Sequence, residues 1–584
     1  MNVRMVITAF FLALIWAGAT MAQAQETLPA PEAATGLTPK SLIVAQKHMV
    51  VAANFQAAEA GREILRQGGS AIDAAIATQL VLGLVEPQSS GLGGGAFIVT
   101  WNKAAGEVNT YDGRETAPAS ATPDRFLKSG VPMGFSDAVL SGLSVGVPGV
   151  VRALELAHAK QGKLAWAKLF APAIKLAQDG FAMPPRLNQL LKLESPDRFS
   201  PPARAYFFEA DGRVKSASSL IKNPEYAATL KAIAKDGASA FYGGPVAQAI
   251  VASVVAAPIA KGDLTLADLS GYQAKERPPV CFAYRTRKIC GMGPPSSGAL
   301  TVAQTLKLIE PLDGVQGEAR RLSVPAMHLI AEAEKLAYAD RNRYIADPDA
   351  VPVPDGLLDA GYLAERRKLI DPAHAIAKPQ AGLPPGLAKR TFGEDATREA
   401  AGTSHISIID DDGNAVSMTT TIESAFGSHL WAAGFLLNNQ LTDFSFVPAD
   451  SNGLVVVNAV GGGKRPRSSM APTLIFDDKG ALEGVTGSPG GSRIILFVVK
   501  ALVAMIDWNM NAQEAAALMN FGSEGSAFQL EYAVSSLVPA LKLTMYGHAV
   551  NGDPMTSGVH TILRRDGHLE GGADPRREGV ALGD

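Results

Sequence analysis

Residues 398–421, REAAGTSHISIIDDDGNAVSMTTT, place Thr403 where a polar stretch becomes a strand-like alternation. A threonine hydroxyl is a weak nucleophile that needs a nearby base. An α-amino group has a pKa of roughly 7.7–8, so a threonine at a chain terminus carries its own base. Thr403 gains that amine only if the peptide bond from Gly402 breaks, and Gly402 has no side chain to obstruct attack on its carbonyl. The pattern raises the hypothesis of a self-cleaving chain.

The same stretch predicts a β-hairpin. Asp411-Asp412-Gly413 is typical of a turn between two β-prone runs. A turn centred near Asp412 puts Thr421 opposite Thr403, which brings a second hydroxyl beside the first. A plain hairpin whose threonines are favoured by the sheet explains the stretch equally simply, and on the hairpin alone that alternative is preferred.

Two further segments have residue types suited to holding a substrate. KRPRSSMAPT (464–473) presents Ser468 and Ser469 beside basic residues. TGSPGGSR (486–493) contains Gly490 and Gly491, whose backbone N–H groups would suit an oxyanion.

Two other motifs are weaker. GLSVG (142–146) has the spacing of a nucleophile elbow, but Val147-Pro148-Gly149 follows where a helix is required. GLGGGAF (91–97) lacks the lysine of a phosphate-binding loop, so a tight turn in a packed core is preferred.

The elements that must position these residues indicate a layered α/β protein. Residues 52–67 have helical spacing, and Ser70 and Asp73 predict a capping box that opens a helix buried nearly all round. Residues 326–344 predict a long helix, and AFIVTWN and EVNTYDGRE predict paired strands. Residues 372–402 lose periodicity and predict a solvent-exposed linker before Thr403.

The chain has 584 residues, enough for a large core or two joined lobes, and a formal net charge of −3. That charge gives no electrostatic case for nucleic acid or for an anionic membrane. Residues 1–24 combine Arg4, an apolar run and an Ala22-Gln23-Ala24 site, which predicts a cleavable signal peptide and an exported protein; a membrane anchor is the alternative. Cys281 and Cys290 flank a predicted hairpin, and a disulfide and two free thiols are equally compatible with it.

Taken together, the chain resembles the γ-glutamyltranspeptidase family. The segments that carry the resemblance occur in order over most of the chain: EAGREILRQGGSAIDAA, VEPQSSGLGGGAF, DGRETAPA, LSVGVPG, PPSSG, TSHISIIDDDGNAVS, LLNNQLTDFS, KRPRSSMAPT, GSPGGSRI and GGADPRREG. The resemblance implies a four-layer αββα sandwich of the N-terminal-nucleophile hydrolase type. It also implies cleavage between Gly402 and Thr403 into a large subunit, 25–402, and a small catalytic subunit, 403–584, that form a heterodimer.

The resemblance also implies roles for individual residues. Thr403 would be the nucleophile, Thr421 its assistant, and Gly490 and Gly491 the oxyanion hole. The substrate's amino-acid head would be held by residues on both sides: Arg114, Ser468 and Ser469 at the α-carboxylate, and Gln440, Asp443 and Glu423 at the α-amino group. The expected donors are glutathione and related γ-glutamyl compounds, and the acceptors are water, amino acids or peptides. No cofactor and no metal are expected, and the expected location is the periplasm or the exterior.

Departures from the family pattern keep alternatives open. Glu423 stands where the family often has asparagine, and residues 446–463 are short and lack a tyrosine where some members carry a lid. An acylase of the same fold, acting on a glutaryl β-lactam or a poly-γ-glutamate, is one alternative. A non-catalytic periplasmic binding protein is the other.

Overall fold

Two seven-stranded sheets hold most of the strands, and every strand pairing within them is antiparallel. The structure is a computed structural model that describes residues 34, 36–217, 219–387, 392–397, 399 and 402–584. The predicted signal peptide, residues 1–24, lies outside the described residues. Within the described ranges, no helix is both long enough and apolar enough to cross a membrane.

The strands of the described residues are β1 Ile43–Ala45, β2 Met49–Ala52, β3 Gly95–Asn102, β4 Glu107–Gly113, β5 Leu127–Lys128, β6 Val131–Pro132, β7 Phe181–Ala182, β8 Leu220–Ile221, β9 Lys275–Arg277, β10 Val280–Tyr284, β11 Arg287–Gly291, β12 Gly402–Ile409, β13 Ala415–Glu423, β14 Trp431–Ala432, β15 Phe435–Leu436, β16 Thr473–Phe476, β17 Leu482–Gly487, β18 Phe521–Gly522, β19 Ala527–Glu531, β20 Ala549–Asp553, β21 His560–Arg565, β22 His568–Ala573 and β23 Val580–Gly583. The first sheet has the order β1-β22-β21-β17-β16-β11-β10, and the second has the order β23-β2-β12-β13-β3-β4-β9.

The α-helices of the described residues are α1 Phe55–Arg66, α2 Ala71–Val85, α3 Phe135–Val139, α4 Val150–Gln161, α5 Ala171–Asp179, α6 Pro185–Leu191, α7 Pro201–Phe207, α8 Pro224–Asp236, α9 Ser239–Tyr242, α10 Gly244–Val255, α11 Leu266–Gly271, α12 Gly298–Ile309, α13 Val324–Tyr344, α14 Ala360–Arg367, α15 Ile494–Ile506, α16 Ala512–Ala517 and α17 Leu537–Met545. The capping box predicted for α2 is present at Ser70 and Asp73, and all residues of this helix are buried, as its apolar composition predicts. The long helix predicted over 326–344 is α13.

The hairpin β12–β13 forms the centre of the second sheet. Thr403 lies opposite Thr421, and the Asp410 N–H donates to the Asn414 carbonyl at 3.0 Å, so the predicted register is confirmed. Strand β12 pairs with β2 on its other side, and β13 pairs with β3. The hairpin that follows Gly402 is therefore flanked on both sides by strands that precede Gly402.

Strand β12 lies inside the second sheet, and both of its faces are buried. Ile406 and Ile408 belong to an apolar cluster that includes most of α2. Ile409, on the opposite face, belongs to a second cluster that includes Val485 of the first sheet. Ser407, on the same face as Thr403 by strand alternation, donates from its hydroxyl to the His560 carbonyl at 3.0 Å. Thr403 thus lies on the face that is turned toward the first sheet.

Cys281 and Cys290 lie opposite each other in the β10–β11 hairpin and form a disulfide with an S–S distance of 2.06 Å. The sequence left the disulfide and the free thiols open, and the structure has the disulfide. Of the described residues among 372–402, only Gly402 belongs to a helix or strand. The predicted solvent exposure does not hold throughout, because Asp395 and the side chain of Glu399 are buried.

Candidate active site

Three oxygen atoms at the start of β12 form a short relay. The Thr403 hydroxyl donates to the Thr421 Oγ1 at 3.3 Å, and the Thr421 hydroxyl donates to the Gly402 carbonyl oxygen at 2.6 Å. The Glu423 backbone N–H also donates to the Thr421 Oγ1, at 2.8 Å, and this bond fixes the orientation of that hydroxyl. The peptide carbonyl before Thr403 is therefore polarised by the same group that can accept the proton of the Thr403 hydroxyl.

The backbone at Gly402 passes too close to β13 for a side chain. A Cβ at this position would lie 2.4 Å from the Ser424 carbonyl oxygen and 2.5 Å from the Glu423 carbonyl oxygen. The strand register shifts between Gly402 and Thr403, which marks a β-bulge or irregularity at the peptide bond in question. Only glycine fits here without displacing the neighbouring strand.

Arg114 and Asp443 form a buried ion pair beside Thr403. The Arg114 Nη2 donates to the Asp443 Oδ2 at 2.5 Å, and the Gln440 side-chain amide donates to the same oxygen at 2.7 Å. The Asp443 Oδ1 and the Gln440 Oε1 are buried and have no hydrogen-bond partner among the described residues. Burial and the neighbouring Glu423 raise the pKa of Asp443 well above its ordinary value, whereas Arg114, and a cation at the Oδ1, act in the opposite direction and favour the carboxylate. Two acceptor oxygens are thus available for a cationic group of a ligand.

Glu423 has a left-handed backbone conformation, with φ +82°, which is unusual for a residue with a side chain. Its carboxylate accepts hydrogen bonds from the Ser424 hydroxyl and from the Asn439 amide, both at 2.6 Å. Such strain costs about 1–3 kcal/mol and persists where surrounding contacts enforce it, often at functional sites.

Ser468 and Ser469 approach the site from the loop before β16. The Ser468 hydroxyl oxygen accepts from the Met470 backbone N–H at 3.2 Å. The Ser469 hydroxyl donates to the Glu399 carboxylate at 2.5 Å and accepts from the Arg341 guanidinium at 2.5 Å. Both serines are buried.

Gly490 and Gly491 lie just before α15, and Gly491 begins the 3₁₀ turn Gly491–Arg493 that leads into this helix. Both have positive φ, +142° and +60°, which glycine adopts readily. A Cβ at Gly490 would also lie 2.5 Å from the Phe497 ring. Because the turn leads into a helix N-terminus, its N–H groups favour negative charge.

One cavity of about 20 Å³ gathers most of the residues that the sequence singled out. Its lining residues are Arg114, Glu399, Thr403, Thr421, Glu423, Gln440, Asp443, Ser468, Ser469, Met470, Gly491 and Ile494. Gly402 and Gly490 adjoin lining residues in the chain but do not line the cavity themselves.

Sequence reasoning missed several charged residues around this cavity. Glu399 stands in the predicted linker, and Arg341 lies in α13. Arg467 lies within the KRPRSSM motif, where only the serines were singled out, and Arg577 donates to the Thr403 carbonyl at 3.3 Å. Glu115 follows Arg114 directly, and its burial raises its pKa to about 8 although Arg114 opposes the shift. Arg467 lies in the KRPRSSMAPT motif and Arg577 in the GGADPRREG motif, so these two motifs could have indicated them.

The serine of the GLSVG motif, Ser144, is not among the residues that line this cavity. Ser144 is buried, and its hydroxyl makes hydrogen bonds of 2.8 Å with the Val139 and Ser141 carbonyls.

One group of potential metal ligands occurs among the described residues: His328, Glu332 and His548. His328 and His548 are already hydrogen-bonded to each other at 2.8 Å, and the Lys335 ammonium donates to Glu332 at 2.7 Å. Because the ammonium supplies the positive charge that a metal ion would supply, the donor set does not fit a cation. Burial, together with Lys335 and His328, lowers the pKa of His548 to about 3.

The mixed α/β fold with two antiparallel sheets is that of the N-terminal-nucleophile hydrolases. The γ-glutamyltranspeptidase family model matches residues 57–584, and the chain belongs to this family. The glutathione hydrolase proenzyme of Escherichia coli (strain K12) is 36% identical over 561 residues, which covers 94% of each chain. The acylase ACY 1 proenzyme of Pseudomonas sp. (strain V22) is 34% identical over 568 residues, covering 95% of this chain and 97% of the relative.

Among solved structures, the cephalosporin acylase from Bacillus halodurans superimposes with a TM-score of 0.81 at 26% sequence identity. The match covers 97% of this chain and 99% of that one. The family and its hydrolase fold are therefore shown, and the relatives include both glutathione hydrolases and acylases.

Proposed function

We propose that the chain is a self-processing exported γ-glutamyl hydrolase and transpeptidase that acts on glutathione and related γ-glutamyl amides. The substrate class rests on two acceptors that have no hydrogen-bond partner among the described residues, Gln440 Oε1 and Asp443 Oδ1, beside the Arg114 guanidinium. An α-amino acid head carries an ammonium and a carboxylate on one carbon, so it needs acceptors and cations side by side.

Self-processing begins with attack of the Thr403 Oγ1 on the Gly402 carbonyl carbon. Thr421 accepts the hydroxyl proton and gives up its own, and the Thr403 nitrogen takes up that released proton as the C–N bond breaks. The resulting Gly402 ester is hydrolysed by water, which frees the Thr403 hydroxyl and its new α-amino group. The separated chains are expected to stay together as a heterodimer in a four-layer αββα sandwich, because β12 and β13 keep their hydrogen bonds to β2 and β3.

In the mature enzyme the α-amino group of Thr403 acts as base for its own hydroxyl. The hydroxyl attacks the γ-carbonyl of the donor, and the negative charge that develops on the carbonyl oxygen is stabilised by the N–H groups at Gly490 and Gly491. The amine leaving group takes the proton that the Thr403 α-amino group removed from the hydroxyl, and the γ-glutamyl group remains as an ester on Thr403. Water completes hydrolysis, whereas an amino acid or peptide completes transfer.

A glutaryl acylase is the second candidate, favoured by the similarity to the cephalosporin acylase and to the acylase ACY 1 proenzyme. A glutaryl group has no α-ammonium, so it would leave the free acceptors of Gln440 and Asp443 unpaired.

The test begins with the purified full chain on a denaturing gel and N-terminal sequencing of the smaller fragment. We expect two fragments, with Thr403 as the first residue of the smaller one. Turnover is then compared between a γ-glutamyl anilide and the matching glutaryl anilide, and the γ-glutamyl substrate should react faster. A chain that stays intact and releases nothing from either anilide would contradict the proposal, and faster glutaryl release would favour the acylase.

A further inference from the structure

A buried carboxylate from the linker already occupies part of the cavity. Glu399 accepts hydrogen bonds from the Ser469 hydroxyl, at 2.5 Å, and from the Arg341 guanidinium. The Arg467 Nη2 lies 3.6 Å from the Glu399 Oε1. Only 5% of the Glu399 side chain is exposed. A residue of a polar linker is thus held in place by two arginines and a serine.

The charges at this point balance only while the linker is in place. Arg341 and Arg467 are both almost fully buried, and Arg467 also pairs with Asp395 at 2.9 Å. Asp395 and Glu399 both lie within the last eight residues before Thr403. Burial alone would raise the pKa of Glu399, but Arg341 and Arg467 outweigh that effect and hold the pKa below its ordinary value. Removing the Glu399 carboxylate would leave Arg341 with a buried charge that forms no other ion pair among the described residues.

Arg467 has spare hydrogen-bonding capacity in the same place. Its Nε and Nη1 are buried and have no hydrogen-bond partner among the described residues. Buried guanidinium donors are normally paired, so these two groups indicate room for a further acceptor. The surrounding cavity of about 20 Å³ holds about one water molecule and no amino-acid head group.

We propose that Arg341, Arg467 and Ser469 form a carboxylate-binding subsite of the cleaved enzyme, and that the Glu399 carboxylate fills it as an internal ligand until cleavage. This inference rests on the proposed function, because cleavage after Gly402 gives Glu399 a free chain end three residues away. The linker carboxylate can then exchange with a free carboxylate of the substrate. Arg341 and Arg467 thereby join Arg114 in selecting acidic substrates.

The test uses the full chain with Thr403→Ala, which keeps the linker attached. Binding of L-glutamate and of glutarate is measured by isothermal titration calorimetry. We expect Thr403→Ala alone to bind both weakly and Thr403→Ala/Glu399→Ala to bind at least about tenfold tighter, because a tethered competitor acts at millimolar effective concentration. Adding Arg467→Met should remove the gain.

Glu394 supplies a matched control, because it lies in the same linker and is exposed. Thr403→Ala/Glu394→Ala should bind like Thr403→Ala. Should Glu399→Ala unfold the chain, Glu399→Gln keeps the shape, weakens the attraction to the two arginines and should give a smaller gain. If both Glu399 variants fold and neither binds L-glutamate or glutarate more tightly than Thr403→Ala, the subsite is overturned.

Failure of the subsite can be told from failure of the proposed function. The wild-type chain could cleave itself and turn over a γ-glutamyl anilide while the Glu399 variants gain no affinity for either ligand. That result supports the proposed function and overturns the subsite. A Glu399-dependent gain for glutarate but not for glutamate keeps the subsite and contradicts γ-glutamyl specificity.

Discussion

The Thr421 hydroxyl donates a hydrogen bond of 2.6 Å to the carbonyl oxygen of Gly402, the residue that precedes the candidate nucleophile. The same oxygen atom of Thr421 accepts from the Thr403 hydroxyl at 3.3 Å. One side chain therefore contacts both the hydroxyl that we propose as the attacking group and the carbonyl that we propose is attacked. This relationship makes the start of β12 chemically different from the other threonine-rich strand segments of the hairpin.

Replacing Thr421 by valine should slow self-cleavage by about 100-fold or more, because the isosteric side chain neither polarises the Gly402 carbonyl nor accepts the Thr403 proton. The measurement is the rate at which the intact chain disappears on a denaturing gel. Thr421→Ser keeps the hydroxyl and should cleave at a rate closer to wild type.

Thr420→Val is the matched control, because the Thr420 hydroxyl donates to the Gly95 carbonyl at 3.3 Å and does not contact Gly402. This variant should cleave normally. Equal cleavage rates for Thr421→Val and the wild-type chain would show that the relay has no part in the reaction.

Replacing Gly402 by alanine should destabilise the fold by about 1–3 kcal/mol and slow cleavage, because the added Cβ overlaps two carbonyl oxygens of the neighbouring strand. The free energy of unfolding is measured in urea, in the Thr403→Ala background so that the chain stays intact. Gly271→Ala serves as control, since a Cβ there would have no atom within 4 Å. Normal stability together with normal cleavage in Gly402→Ala would contradict the close approach.

Replacing Asp443 by asparagine should lower kcat/KM for the γ-glutamyl anilide at least about 30-fold more than for the glutaryl anilide, because only the former carries an ammonium for the Asp443 Oδ1. Loss of the Arg114 partner affects both substrates, so the ratio isolates the contact with the ammonium. The exposed Asp478→Asn should change neither value. Equal losses for the two substrates would argue against this placement of the α-amino group.

His560 should make stability depend on pH. Burial lowers its pKa from 6.5 to about 4, so the unfolded chain binds more protons between these two values. The contribution of His560 to the free energy of unfolding is complete above pH 6.5 and is lost as pH falls toward 4. In the Thr403→Ala chain, we expect about 2–3 kcal/mol of unfolding free energy to be lost between pH 7 and pH 4.5 through this group.

His560→Asn should lose correspondingly less stability over the same interval, because asparagine does not titrate while its amide can still donate to the His405 carbonyl, which lies 2.7 Å from the His560 Nδ1. His374 is exposed, so His374→Asn should leave the pH dependence of the unfolding free energy, measured in urea at each pH, as it is in the Thr403→Ala chain. If His560→Asn does not change the pH dependence of the unfolding free energy, another group is responsible for the loss of stability in acid.

Local features were well predicted from the sequence. The turn at Asp411-Asp412-Gly413 determines which residues of β12 and β13 face each other, so Thr403 and Thr421 could be paired before the structure was known. The capping box at Ser70 and the buried helix after it follow from neighbouring residues in the same way. Patterns of this kind depend on spacings of two to four residues, which the sequence displays directly.

The charge arrangement around the cavity was decided by the tertiary structure. Glu399, Arg341 and Ser469 are separated by 58 to 128 positions and meet only when the linker, α13 and the loop before β16 converge. The disulfide state was likewise open until the β10–β11 register placed both cysteines opposite each other. The sequence alone determined a threonine beside a second hydroxyl and the residue types suited to an amino-acid substrate. The pairing of the buried charges depended on long-range packing. The free energy of a buried charge depends on the residues around it, and residues distant in sequence surround it only in the folded chain.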